Sequence, residues 1–130
     1  MSKTPLHKNT LFYSILDEYV THINNKIIKM KSNIANISDK MIEYTEKFEN
    51  NTISKDEVDH IIVLQNEFID LGQEKKYLNE KLLTLIEFNT LLSLNKIEKD
   101  NEMFNTLMNH FIDVEKYEFC SNLENIIKNL

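Results

Sequence analysis

The chain has 130 residues, a formal net charge of −6, and one glycine, one proline and one cysteine. That length suits a single domain, and 42% apolar with 28% charged residues is the composition of neither a disordered nor a membrane-spanning chain. Sheet folds need turn glycines at short intervals, so one glycine leaves the all-α class; the lone Cys120 excludes an internal disulfide and a cysteine metal cluster.

All the formal cations are lysines. Without arginine the chain lacks the planar fork most sites use for phosphate, carboxylate or guanine. Residues 1–50 carry 7 Lys against 6 acids, residues 51–96 carry 5 against 8, and residues 97–130 carry 3 against 7. An acidic C-terminal third argues against nucleic acid and anionic membrane as partners.

Residues 1–9 read as a disordered tail, with Pro5 holding Thr4 extended. They contain no apolar core of a secretory signal, and no run of about 18 apolar residues follows. The expected location is intracellular, in cytoplasm or nucleus.

From Thr10 to Asn50 the apolar positions Leu16, Tyr19, Ile23, Ile27, Met30, Ile34, Ile37, Met41, Tyr44 and Phe48 recur at steps of three and four. From Ile27 onward this is a heptad seam, and the two consecutive fours around Ile23 form a stutter. Ile28, Ala35 and Ile42 form a second line beside it, also repeating every seven.

Between Asn50 and Val58 lies the best local signal. Ser54 and Glu57 have capping-box spacing, and Ile53 and Val58 fall where a hydrophobic staple would sit. A helix therefore ends near Asn50 and another begins at Lys55. The second helix has the seam Ile61, Leu64, Phe68, Leu71, Lys75, Leu78, Leu82, Leu85, Asn89 and Leu92, flanked by Ile62, Ile69, Leu83 and Ile86. Two helices of about 40 residues, joined by a short turn at 50–54, predict an elongated antiparallel coiled-coil-like hairpin over residues 10–95.

Lys75 and Asn89 interrupt the second seam, either to fix register or, for Lys75, by reaching out to solvent. Gly72, counted from the turn, falls opposite Ser32, Asn33 and Ala35, which predicts close helix approach or a kink.

Residues 96–130 read as an acidic helical segment that forms a bundle with the hairpin or with a partner. Met103, Phe104, Leu107, Met108, Phe111 and Ile112 have helical spacing, capped by Asp100 or Asn101. Ser121 and Glu124 form a possible capping box for a last helix bearing Leu123, Ile126, Ile127 and Leu130. Such a segment is long enough to cover the flanking lines.

Residues that could carry chemistry are few. Glu57 and His60 match the Glu-x-x-His ligand pair of di-iron bundles, but such a site needs two pairs and two further glutamates. His7 and His22 stand alone, and His110, Asp113 and Glu115 do not share one helix face. Cys120 beside Phe119 reads as a small packing residue. No catalytic, cofactor or metal residue is therefore expected, nor an enzyme or a small-molecule substrate.

What remains is a surface for other helices. The interaction seam is expected at Ile27, Met30, Ile34, Ile37, Met41, Leu71, Leu78, Leu82, Leu85 and Leu92. In size, acidity and periodicity residues 10–95 resemble the small coiled-coil subunits of kinetochore, tethering, BLOC-type or Mediator-type assemblies. That resemblance implies a non-enzymatic protein–protein interaction module, an assembly subunit or self-associating scaffold, partnered by helical chains or by itself. The alternative is a small phage- or virus-encoded regulator that blocks a protein target.

Overall fold

The computed structural model describes residues 4–130, and among them the fold is all-α, without strands. After a short 3-10 turn at Leu6–Lys8 come α1 (Thr10–Glu49), α2 (Lys55–Ser93), α3 (Glu102–Asp113) and α4 (Tyr117–Lys128). The two long helices pack against each other, and the C-terminal helices form a bundle. The chain divides into two compact units: Met1–Ile23 with Lys81–Leu130, and Asn24–Glu80. We call the first the four-helix unit and the second the hairpin unit. In α1 the division follows Ile23, where the stutter interrupts the heptads.

With one glycine the chain reverses direction three times, each time by the same device. At the end of α1, Asn51 takes φ 57°. Its N–H donates to the Phe48 carbonyl at 3.1 Å, and the Thr52 N–H reaches back to Lys47 at 2.8 Å. This is a Schellman ending, which satisfies carbonyls the last helical turn leaves open. The pattern recurs at Asn95 (φ 53°), with its own and the Lys96 N–H on Leu92 and Leu91. It recurs again at Glu115 (φ 59°), with its own and the Lys116 N–H on Ile112 and Phe111. Asparagine tolerates the left-handed region, whereas a glutamate there costs roughly 1–2 kcal/mol. Glu115→Gly is therefore expected to raise unfolding stability by about 1 kcal/mol, read from the midpoint of urea denaturation.

Helix starts follow the same economy. The Asn9 Oδ1 accepts from the Phe12 N–H at 3.0 Å, and the Asn101 Oδ1 accepts from the Met103 N–H at 2.9 Å. The first of these changes the expectation of a disordered tail over residues 1–9. Leu6 is buried in the 3-10 turn, so this part of the tail is packed; Met1, Ser2 and Lys3 lie outside the described residues. The expected Ser121–Glu124 box does not start α4, which begins four residues earlier at Tyr117. The reversal at Glu115 sets that start, and Ser121 lies inside the helix on its exposed side.

The four-helix unit holds the largest buried side chains. Phe12 of α1, Phe88 of α2 and Phe104 of α3 form a ring trio with centroids 6.0–6.1 Å apart. Tilted and edge-on aromatic contacts of this kind add to the area the rings remove from water. Leu107, Phe111 and Leu123 are fully buried around them, and Phe111 stacks on Phe119. α3 and α4 thus complete this unit's core. They leave Leu83 and Ile86 60% exposed, so the C-terminal segment does not cover the flanking line of α2.

The hairpin unit has a narrower core: Ile37, Tyr44 and Leu64, with Met41, Ile53, Ile61 and Leu71 against it. Ile53 joins this cluster, whereas Val58 stays exposed. Along α2 burial follows every seventh residue, Leu64, Leu78, Leu85 and Leu92, with Leu71 half-buried. The alternate seam positions lie at the rim: Ile61, Lys75 and Leu82 are half-buried, and Phe68 and Asn89 are exposed. Two helices seal one line between them, which leaves the second line of the α2 seam at the rim. Asn89 is therefore no core register residue. Gly72 has nothing within 4 Å of where a Cβ would stand, which removes close approach as its reason.

Candidate interaction face

The heptad register gives the hairpin unit two unlike faces. On one side a groove of about 600 Å³ is lined by Ile37, Ser38, Met41 and Ile42 of α1 and by Leu64, Gln65, Asn66, Phe68 and Ile69 of α2. Ile42 is 59% exposed, Phe68 46% and Ile69 55%. Ile28 and Ile62, seven or fourteen residues away on the same lines, are exposed as well. On the other side the lining is Asn33, Asn36, Glu67 and Asp70 with Ile37 and Leu71. Both faces come from the same two helices; Glu67 and Asp70 line the second groove, whereas no charged residue lines the first.

Small residues lie among the large ones. Ala35 precedes Ile42 by one heptad, and Gly72 follows Gln65 by one heptad. With Ser38 they give this face recesses as well as projections. Charge depletion at the centre with polar residues around it is the usual anatomy of a protein interface.

The turn end of the hairpin is held by polar contacts. The Ser54 N–H donates to Glu57 Oε1 at 3.0 Å and the Glu57 N–H donates to Ser54 Oγ at 3.2 Å, a complete capping box. Lys47, in the last turn of α1, donates to the same Glu57 carboxylate, which ties the two helices together. The Lys47 ammonium first, and the Ser54 backbone N–H next, lower the Glu57 pKa to about 2. A depressed carboxylate stabilises the fold fully above its unfolded value of about 4.3, and that contribution is lost as pH falls towards 2. An acid titration of helical circular dichroism is expected to lose stability across this window, and Glu57→Gln is expected to flatten that loss. Tyr44 is buried here, its hydroxyl hydrogen-bonded to His60 Nδ1, so His60 serves the turn and is not simply solvated.

No family model matches the chain, and neither does any solved structure.

Of the ten expected seam residues, Ile27, Met30, Ile37, Leu78, Leu85 and Leu92 are buried within the chain, and Ile34, Met41, Leu71 and Leu82 are half-buried. The seam is thus largely occupied by the chain's own packing. The apolar surface left exposed lies one position aside, on the flanking lines.

The four-helix unit contains a polar cluster that spacing in the sequence does not reveal. His22 of α1 and His110 of α3, 88 residues apart, place Nδ1 and Nε2 3.0 Å from each other. The other His22 nitrogen is 3.1 Å from Glu18 Oε1, and Lys116 donates to that same oxygen. The Lys116 hydrogen bond is the main cause that holds the Glu18 carboxyl below its usual range. No group of three or more ligating side chains able to hold a metal occurs among the described residues. No helix among them is long and apolar enough to cross a membrane.

Proposed function

We propose that the chain is a non-enzymatic helical interaction module that associates with a second copy of itself through the apolar face of its hairpin unit. The observation that carries this reading is the groove between α1 and α2, where Ile42, Phe68 and Ile69 stay largely exposed and no charged residue lines the wall, whereas Glu67 and Asp70 line the opposite face.

Three features favour a second copy. In the four-helix unit the same two helices are covered by α3 and α4, whereas the hairpin unit has only its own two; a second hairpin supplies two more. The face carries large residues and small ones together, which suits a two-fold interface, since that has to be complementary to itself. Its groove also has no charged lining residue, so the acidic balance of the whole chain does not oppose self-association there. A reversible dimer of this kind is a natural component of a larger coiled-coil assembly. Substituting Ile42 and Ile69 by aspartate tests the reading: association should disappear while the helices remain.

A further inference from the structure

The histidine pair of the four-helix unit has a property that does not depend on the hairpin face. A hydrogen bond between two imidazole nitrogens needs one N–H and one lone pair. Whichever ring donates, the other must be unprotonated at the facing nitrogen. The pair at 3.0 Å therefore accommodates one added proton, with His22 then donating from both nitrogens, to His110 and to Glu18, but not two. A second proton turns the contact into N–H against N–H, with two cations side by side.

The surroundings decide which ring gives way. His110 is buried, packed edge-on against the Tyr19 ring at 4.9 Å and against Phe111 at 5.1 Å. His22 is partly exposed, with 23% of its side-chain surface open. Among the groups facing the pair are Glu18 and Tyr19 from α1, Phe111 from α3, and Lys116 from the α3–α4 connection, which reaches Glu18. α2 and α4 turn Leu85, Phe88, Leu92, Leu123 and Ile126 into this unit's interior, and their half-buried titratable groups are Lys81 on α2 and Cys120 on α4. Glu18 already accepts from Lys116, so its single charge is shared between two cations once His22 is protonated.

We infer that His22 and His110 form an acid-sensitive clasp between α1 and α3. On double protonation His22 leaves for solvent, and the hold of α1 on α3 loosens while the hairpin unit is untouched. The sign follows from proton counting. Unfolded imidazoles take up protons near pH 6.5, whereas the closed pair stops at one. Below that pH the unfolded chain binds more protons, and stability falls as pH falls, with a limiting slope of about tenfold per pH unit for one missing proton. This window lies above the one set by Glu57, so the two effects are separable.

The experiment uses the full chain. Hydrogen exchange of the α3 amides, Glu102–Asp113, is measured from pH 7 to pH 5 after correction for the intrinsic rate, with the α2 amides near Leu64 as internal reference. The expected result is at least a tenfold loss of α3 protection relative to that reference. His110→Phe keeps an aromatic ring beside Tyr19 and should abolish the pH dependence. Should that variant not fold, histidine ring titration by NMR on the wild-type chain decides the same point. One ring of the pair remaining neutral well below pH 6 supports the clasp. Both rings taking up protons near pH 6.5 with α3 protection unchanged overturns it.

Discussion

Replacing Phe12 with alanine is expected to lower unfolding stability by about 3–5 kcal/mol, the usual cost of emptying a large aromatic site in a close-packed core. Phe12 has no exposed surface and is one of three rings that bring α1, α2 and α3 to one point. Its ring partners come from two other helices, so no single side-chain movement refills the space. Domains of this kind have about 5–15 kcal/mol in hand, so the variant should be partly unfolded at moderate temperature. Phe48→Ala is the matching control. That ring is 68% exposed, and its loss should change stability by no more than about 0.5 kcal/mol. Thermal melts followed by far-ultraviolet circular dichroism check both. Equal losses in the two variants would mean that the four-helix unit is not where the fold is anchored.

The second large effect is on association. Ile42 is 59% and Ile69 55% exposed in the single chain, so full cover by a second copy contributes about 1–2 kcal/mol for each through the apolar surface it removes from water. A dimer buries both residues twice, and an aspartate at either position adds the cost of taking a charge out of water. Ile42→Asp with Ile69→Asp should therefore weaken association by at least a thousandfold. Helix content should remain, since both side chains already face outwards in the single chain. Asn33→Asp with Asn36→Asp, on the polar side, should leave association nearly unchanged. Retained association in the first variant, with helicity intact, would remove the apolar face from the account.

Much of the fold could be read from spacing. The helical hairpin follows from two seams and the near absence of glycine, and the turn from Ser54 and Glu57, whose predicted bonds form with the expected partners. Local rules work there because the interacting groups are three residues apart. They fail where a distant contact decides. Ser121 and Glu124 satisfy the capping-box rule, yet the reversal at Glu115 has already started α4, and a residue inside a helix cannot cap it. Leu6 looks like part of a polar tail until it is seen buried in the four-helix unit.

The candidate face was legible only in part. Heptad counting found the flanking residues Ile28, Ile42, Ile62 and Ile69, but it ranked the seam above them. Periodicity identifies a wide apolar surface without saying which part the chain itself consumes. In the structure Ile37 and Leu64 are used internally and Ile42 and Ile69 are left. The His22–His110 pair had no sequence signal at all, because nothing local joins residues on α1 and α3.

The most direct measurement is the molar mass of the wild-type chain by light scattering near neutral pH over a dilution series. Self-association predicts twice the 15.5 kDa of one chain at high concentration, falling towards 15.5 kDa on dilution. A helical species of 15.5 kDa at every concentration would contradict the central claim and leave the apolar face to a different chain.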